Sequence, residues 1–221
     1  MVFALLTVLL THTGLFLTVD RRGSAAAQNW LSAHPDPLLL RLLPFGEAAT
    51  LVLVVGLVAG MTSLAQGRWR PLLGSAVTLV ALAGMVEIVK ALIGRAGPSP
   101  SGRWPAQFGT GGGAFPSGHT AGATVGLLLV ASLVAGPGGV RPHSRAYRLL
   151  AALAVAGGVA VGVATMLSGW HWPTDVLGGL LIAGVAAPLG LVLVHRRPTG
   201  RSRPPTSRPA ASRPPRSRQV R

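Results

Sequence analysis

The sequence predicts an all-α integral membrane protein, a six-helix bundle with both termini cytoplasmic, and three observations lead there. Of 221 residues, 49% are hydrophobic and only 11% charged, whereas an ordinary soluble domain carries about 25% charged residues. Mean hydropathy is positive, at +0.52. Six stretches approach the roughly 20 apolar residues that a helix needs to cross a bilayer core: about 1–19, 45–66, 71–93, 118–136, 149–167 and 174–194.

The first stretch runs into Asp20-Arg21-Arg22, and Ala25-Ala26-Ala27 beyond it has the look of a signal cleavage site. No basic segment precedes the apolar run and the charged tripeptide intervenes, so the stretch reads as a retained span. Residues 20–44, with Trp30, Pro35 and Pro37, read as a loop, and Gly67-Arg68-Trp69-Arg70 as a tight turn. A Gly- and Pro-rich loop follows at 94–117, a basic loop at 137–148 and a short connection at 168–173. Gly56/Gly60, Gly122/Gly126 and Gly158/Gly162 have the small-xxx-small spacing that lets membrane helices approach closely.

These elements make residues 1–195 one membrane domain. Residues 196–221 form a separate tail that repeats Ser-Arg-Pro from Ser202, Ser207 and Ser212. Such a composition buries no core and is expected to be disordered. The tail also holds nine of the nineteen arginines behind the net charge of +15. That charge therefore calls for no nucleic-acid partner, and anionic lipid headgroups are the expected contact.

Loop charges set the orientation. The 67–70 turn, the 137–148 loop and the tail hold fourteen arginines, while the opposite set holds Arg21, Arg22, Arg41, Arg95 and Arg103. The arginine-rich side is cytoplasmic by this rule. The 94–117 and 168–173 loops then face outward, which places the protein in the cell membrane with its chemistry on the extracytoplasmic side.

With no cysteine present, thiol nucleophiles, thiolate zinc sites and disulfides are excluded. The remaining reactive groups converge on the outward end. Lys90 closes the third span, Ser117 and His119 open the fourth, and His171 and Asp175 open the sixth. In Pro116-Ser117-Gly118-His119, Ser117 is placed to cap a helix whose first N–H groups and dipole make an anion site, and Gly118 permits close approach. The bland reading is an ordinary helix start with a snorkelling histidine.

Asp175 lies four positions after His171, so on a helical or nearly helical turn the carboxylate can fix the imidazole tautomer and leave the other nitrogen to attack. Of the two histidines, one can then act as an unprotonated nucleophile and the other as proton donor to a leaving oxygen. Lys90 supplies positive charge, or is a snorkelling lysine, and Glu87, three residues earlier, is placed to pair with it. Metal ligation by the histidines is the less favoured alternative, because Asp175 is better placed to orient His171 than to chelate beside it. His12, His34, His143 and His195 have no partner in the sequence.

These residues resemble the three motifs of the type 2 phosphatidic acid phosphatase superfamily, spanning Lys90 to Pro98, Pro116 to His119 and Ala164 to Asp175. The resemblance implies six helices and a phosphohistidine on His171 oriented by Asp175. It also implies leaving-group protonation by His119 and phosphate contacts from Lys90, Ser117 and Gly118. No metal or other cofactor is implied. The substrate class would be a membrane lipid phosphate or pyrophosphate.

Two of the three motifs depart from the pattern. Gly97 stands where the family has its first-motif arginine, and Ala164-Thr165 where it has Ser-Arg. Neither Gly nor Thr can supply a bidentate guanidinium. Arg95 is the expected replacement clamp, with Arg103 second, and the Thr165 hydroxyl is a candidate donor. A catalytically weakened or inactive lipid-phosphate binding protein of the same fold is therefore the alternative, followed by a lipid phosphotransferase. Haloperoxidase chemistry is disfavoured, because relatives with that activity are soluble and use more cationic contacts.

Overall fold

The computed structural model describes residues 14–34, 38–98, 112–135 and 144–195. Among these the fold is all-α. Helix α1 spans Gly14–Ala33, and a 3-10 segment covers Leu38–Gly46. Then come α2 (Ala48–Gln66), α3 (Arg70–Ile93), α4 (Gly118–Val134), α5 (Arg145–Leu167) and α6 (Pro173–His195).

Helices α2, α3, α5 and α6 are each long and apolar enough to cross a membrane, and α4 is a shorter apolar helix of 17 residues. Together they coincide with the second to sixth expected spans to within a few residues. The expected first span and the tail lie largely outside the described residues. Where the first span was expected to end, the chain is instead helical from Gly14 through Ala33. Alanine is the strongest helix former, and Ala25, Ala26 and Ala27 carry the helix on through what read as a loop.

Local signals explain the helix ends. Gly67 and Gly94 close α2 and α3 in the left-handed conformation that glycine adopts without steric cost. Ser117 and Ser144 cap α4 and α5, each accepting a backbone N–H from three residues on.

Helix α4 lies at the centre, packed against α2, α3, α5 and α6, while α3 also packs along α6. The core joins Val55, Leu82, Val125, Leu129, Ile182 and Ala186. Large apolar side chains such as Leu57, Met61, Val80, Leu92, Leu153 and Leu189 face outward, as a lipid-facing surface requires. Gly158 and Gly162 lie against Thr124 and Thr120, and Gly122 and Gly126 against Leu51, whereas Gly56 and Gly60 face open space. The small-residue pairs on α4 and α5 thus serve helix packing, that of α2 on α4 included, whereas the pair carried by α2 itself meets no neighbour among the described residues.

Candidate active site

The end of α3 and the starts of α4 and α6 meet at one end of the bundle, together with the end of α5. Ser117 N–H donates to the Asp175 carbonyl at 2.9 Å, which ties the α4 start to the α6 start. A Cβ on Gly179 would stand 2.5 Å from the Ser117 carbonyl oxygen. Only glycine therefore permits this approach.

Ser117 is fully buried, and its Oγ accepts from Thr120 N–H at 3.3 Å and from the Thr120 hydroxyl at 3.0 Å. Ala121 N–H donates to the Ser117 carbonyl. The first-turn donors left at this helix start are the Gly118 and His119 N–H groups. Lys90 reaches the same place, since a Cβ on Gly118 would lie 3.8 Å from Lys90 Nζ. Lys90 also donates to Glu87 at 3.0 Å, the pairing expected from their spacing.

The two histidine rings stand edge to face, with centroids 6.1 Å apart, and His119 also meets Trp170 at 5.4 Å. Asp175 Oδ2 lies 3.6 Å from His171 Nδ1. That is longer than a hydrogen bond, but catalytic pairs commonly tighten only once substrate is bound. Among the described residues His171 Nδ1 has no hydrogen-bond partner. Asp175 is itself fully buried, with Oδ2 accepting from Trp172 N–H at 2.8 Å.

Arg95 is placed differently from the expectation of a phosphate clamp. It is 1% exposed, and its guanidinium donates to Asp175 Oδ1 at 2.7 Å, to Thr174 Oγ1 at 2.6 Å and to Asp20 Oδ2. It also lies over the Trp172 ring, 5.3 Å from the centroid. Two buried carboxylates need a cation near them, and Arg95 provides it. Asp20, from the middle of α1, was not singled out as a site residue in the sequence. Only its position among Arg21 and Arg22, both exposed while Asp20 is buried, sets it apart.

The two departures from the motif pattern have structural counterparts. A Cβ at Gly97 would come 2.8 Å from the Trp170 carbonyl oxygen, so the backbone has closed where a larger side chain would start. The Thr165 hydroxyl is buried and donates to the Gly162 carbonyl at 2.7 Å within α5. Thr165 also anchors the next connection, its carbonyl accepting from Trp170 N–H at 3.0 Å. Arg103, the second candidate clamp, lies outside the described residues.

A cavity of about 440 Å³ opens beside the site, with Lys90, Gly118 and His119 at its polar end. Leu51, Leu79 and Val86, from α2 and α3, form much of its apolar wall. Glu47 and Glu87 also border it.

The fold and these gathered residues define a class: a helical membrane protein with a two-histidine site at one end of its bundle. The PAP2 superfamily model matches residues 71–198, and the chain belongs to that superfamily. It is also similar in structure to the first transmembrane PAP2 type phosphatidylglycerolphosphate phosphatase from Bacillus subtilis. The TM-score is 0.66 at 21% identity, over 86% of this chain and 90% of that one, a likeness of fold. No curated protein matches the sequence.

Proposed function

We propose that the protein is a metal-independent phosphohydrolase that removes phosphate from a lipid phosphate or pyrophosphate at the outer face of the membrane. The observation that carries this reading is the meeting of His119, His171 and the α4 start beside an apolar cavity, with Asp175 next to His171 Nδ1. Lys90 and the Gly118 and His119 N–H groups hold the phosphoryl oxygens. The apolar wall of the cavity takes the lipid chain.

Because Asp175 faces Nδ1, Nε2 of His171 is the attacking atom. Its lone pair forms the P–N bond while the P–O bond to the leaving group breaks, and His119 gives its proton to that oxygen. His119 then takes a proton from water as the water oxygen attacks phosphorus. The P–N electrons return to His171, and inorganic phosphate leaves.

Purified protein supplied with phosphatidic acid, phosphatidylglycerolphosphate and a polyprenyl pyrophosphate in mixed micelles should release free phosphate from at least one of them. His171→Ala should abolish that release. Turnover that survives in both His171→Ala and His119→Ala sinks the proposal.

A second reading, a weakened or inactive lipid-phosphate binder, is favoured by two observations: the backbone is closed at Gly97, and the Thr165 hydroxyl is bonded within α5, so neither position offers a substitute for the family guanidinium. It predicts retention of these lipids without phosphate release. A phosphotransferase would instead release product only with an added alcohol or glycan acceptor.

A further inference from the structure

We infer that Asp20 is a positioning residue for the nucleophile, acting through Arg95 and Asp175 to keep a net negative charge behind His171. This rests on the phosphohydrolase reading above. The chain of contacts is continuous. Asp20 Oδ1 accepts from Thr174 N–H at 3.0 Å, and Oδ2 accepts from the Thr174 hydroxyl at 2.7 Å and from Arg95. Arg95 in turn donates to Thr174 Oγ1 and to Asp175 Oδ1. Asp20, Thr174, Asp175 and Arg95 are all buried, none more than 5% exposed.

Charge balance gives Asp20 its role. Arg95 alone beside Asp175 would make a neutral pair and weaken the carboxylate as an acceptor for His171 Nδ1–H. Asp20 on the far side of the guanidinium returns the cluster of one cation and two anions to a net negative charge. When His171 takes on a phosphoryl group its ring becomes cationic, and Asp175 is the group that meets this charge. In a low-dielectric interior such balances act strongly. The same contacts fix position: Asp20 accepts an N–H from the first turn of α6, where the free donors and the helix dipole favour an anion. The α6 start, which carries Asp175, is thereby held to α1.

The experiment uses the full chain in detergent, with Asp20→Asn and the double variant Asp20→Asn/Arg95→Gln, and two readouts. The first is carbethoxylation of His171 at one fixed pH, measured by mass spectrometry against the exposed His34 as internal reference. The second is kcat and KM on whichever lipid phosphate is hydrolysed. Asp20→Asn should slow His171 labelling severalfold and lower kcat by about 10- to 100-fold, by analogy with the range seen for groups that orient metal-bound histidines from behind. KM should stay within about twofold. The double variant, which removes one charge of each sign, should recover part of the loss, because coupled neighbours are not additive.

Unchanged labelling and kcat in Asp20→Asn would overturn the inference. So would a double variant slower than the single one at an unchanged melting temperature, which marks a purely structural cluster. If Asp20→Asn fails to fold, Thr174→Val removes the hydroxyl where Asp20 and Arg95 meet and must then slow labelling of His171. If the wild-type protein hydrolyses no lipid phosphate, the function proposed above fails, while the labelling arm still decides the role of Asp20.

Discussion

The two cationic side chains of this site occupy opposite environments. Arg95 is buried, shared between Asp20 and Asp175 and stacked over Trp172. Lys90 is 24% exposed along its side chain, pairs with a Glu87 that is 69% exposed, and reaches the mouth of the cavity. A guanidinium inside a protein carries several fixed hydrogen bonds at once, whereas an ammonium on a flexible stem can follow a ligand. The buried cation therefore organises the protein, and under the proposed function the rim cation is the one placed to meet phosphate.

That contrast can be broken by substitution. The largest effect is expected at the proposed nucleophile: His171→Ala should reduce phosphate release to background, while its melting temperature in detergent stays near that of the wild type. Arg95→Ala should be nearly as severe but in stability, because it leaves Asp20 and Asp175 buried without their cation, at a cost of about 3–5 kcal/mol. Thermal unfolding in detergent reads this directly, and a variant that melts like the wild type would place Arg95 with the rim.

Lys90→Ala should show the opposite profile, with little change in melting and a fall of about 100-fold in kcat/KM, the size expected for loss of one transition-state donor. Glu87→Gln should change least. Its pair with Lys90 is exposed, and exposed pairs contribute at most about 1 kcal/mol. Activity assays on this variant at low and high salt should differ little from the wild type, and a large loss would make Glu87 part of the chemistry.

The sequence made the spans of α2 to α6 legible because each is a continuous apolar run between Gly, Pro or charged residues. It also made the convergence of Lys90, His119, His171 and Asp175 legible, because topology alone brings those helix ends together. The partner of Arg95 was a different matter. Asp20 lies 75 residues away, and in sequence Asp20-Arg21-Arg22 looks like a solvated span end. Burial of one residue of the three follows only from the packing of α1 against α5 and α6.

Gly97 shows the same limit from the other side. As an isolated letter it marks a missing arginine, and only the Trp170 carbonyl beside it shows that the position is also closed. For Thr165 the sequence left a donor open, while the α5 backbone three residues back takes its hydroxyl.

The shortness of α4 bears on the depth at which the proposed reaction would run. Seventeen residues rise about 26 Å at 1.5 Å each, less than the roughly 30 Å hydrocarbon thickness of a bilayer. Helix α3 continues three residues beyond Lys90, to Ile93. Gly118 lies beside Lys90, three residues short of the α3 end, so we expect His119, the second residue of the shorter helix, to work below the level that α3 reaches. A phosphate borne by a lipid arrives at that depth while its chain stays among other chains, whereas a water-soluble ester must leave bulk solvent to descend. We therefore expect a long-chain phosphate ester to turn over faster than its short-chain, soluble counterpart, and equal kcat/KM values for the two would place the reaction at the water boundary instead.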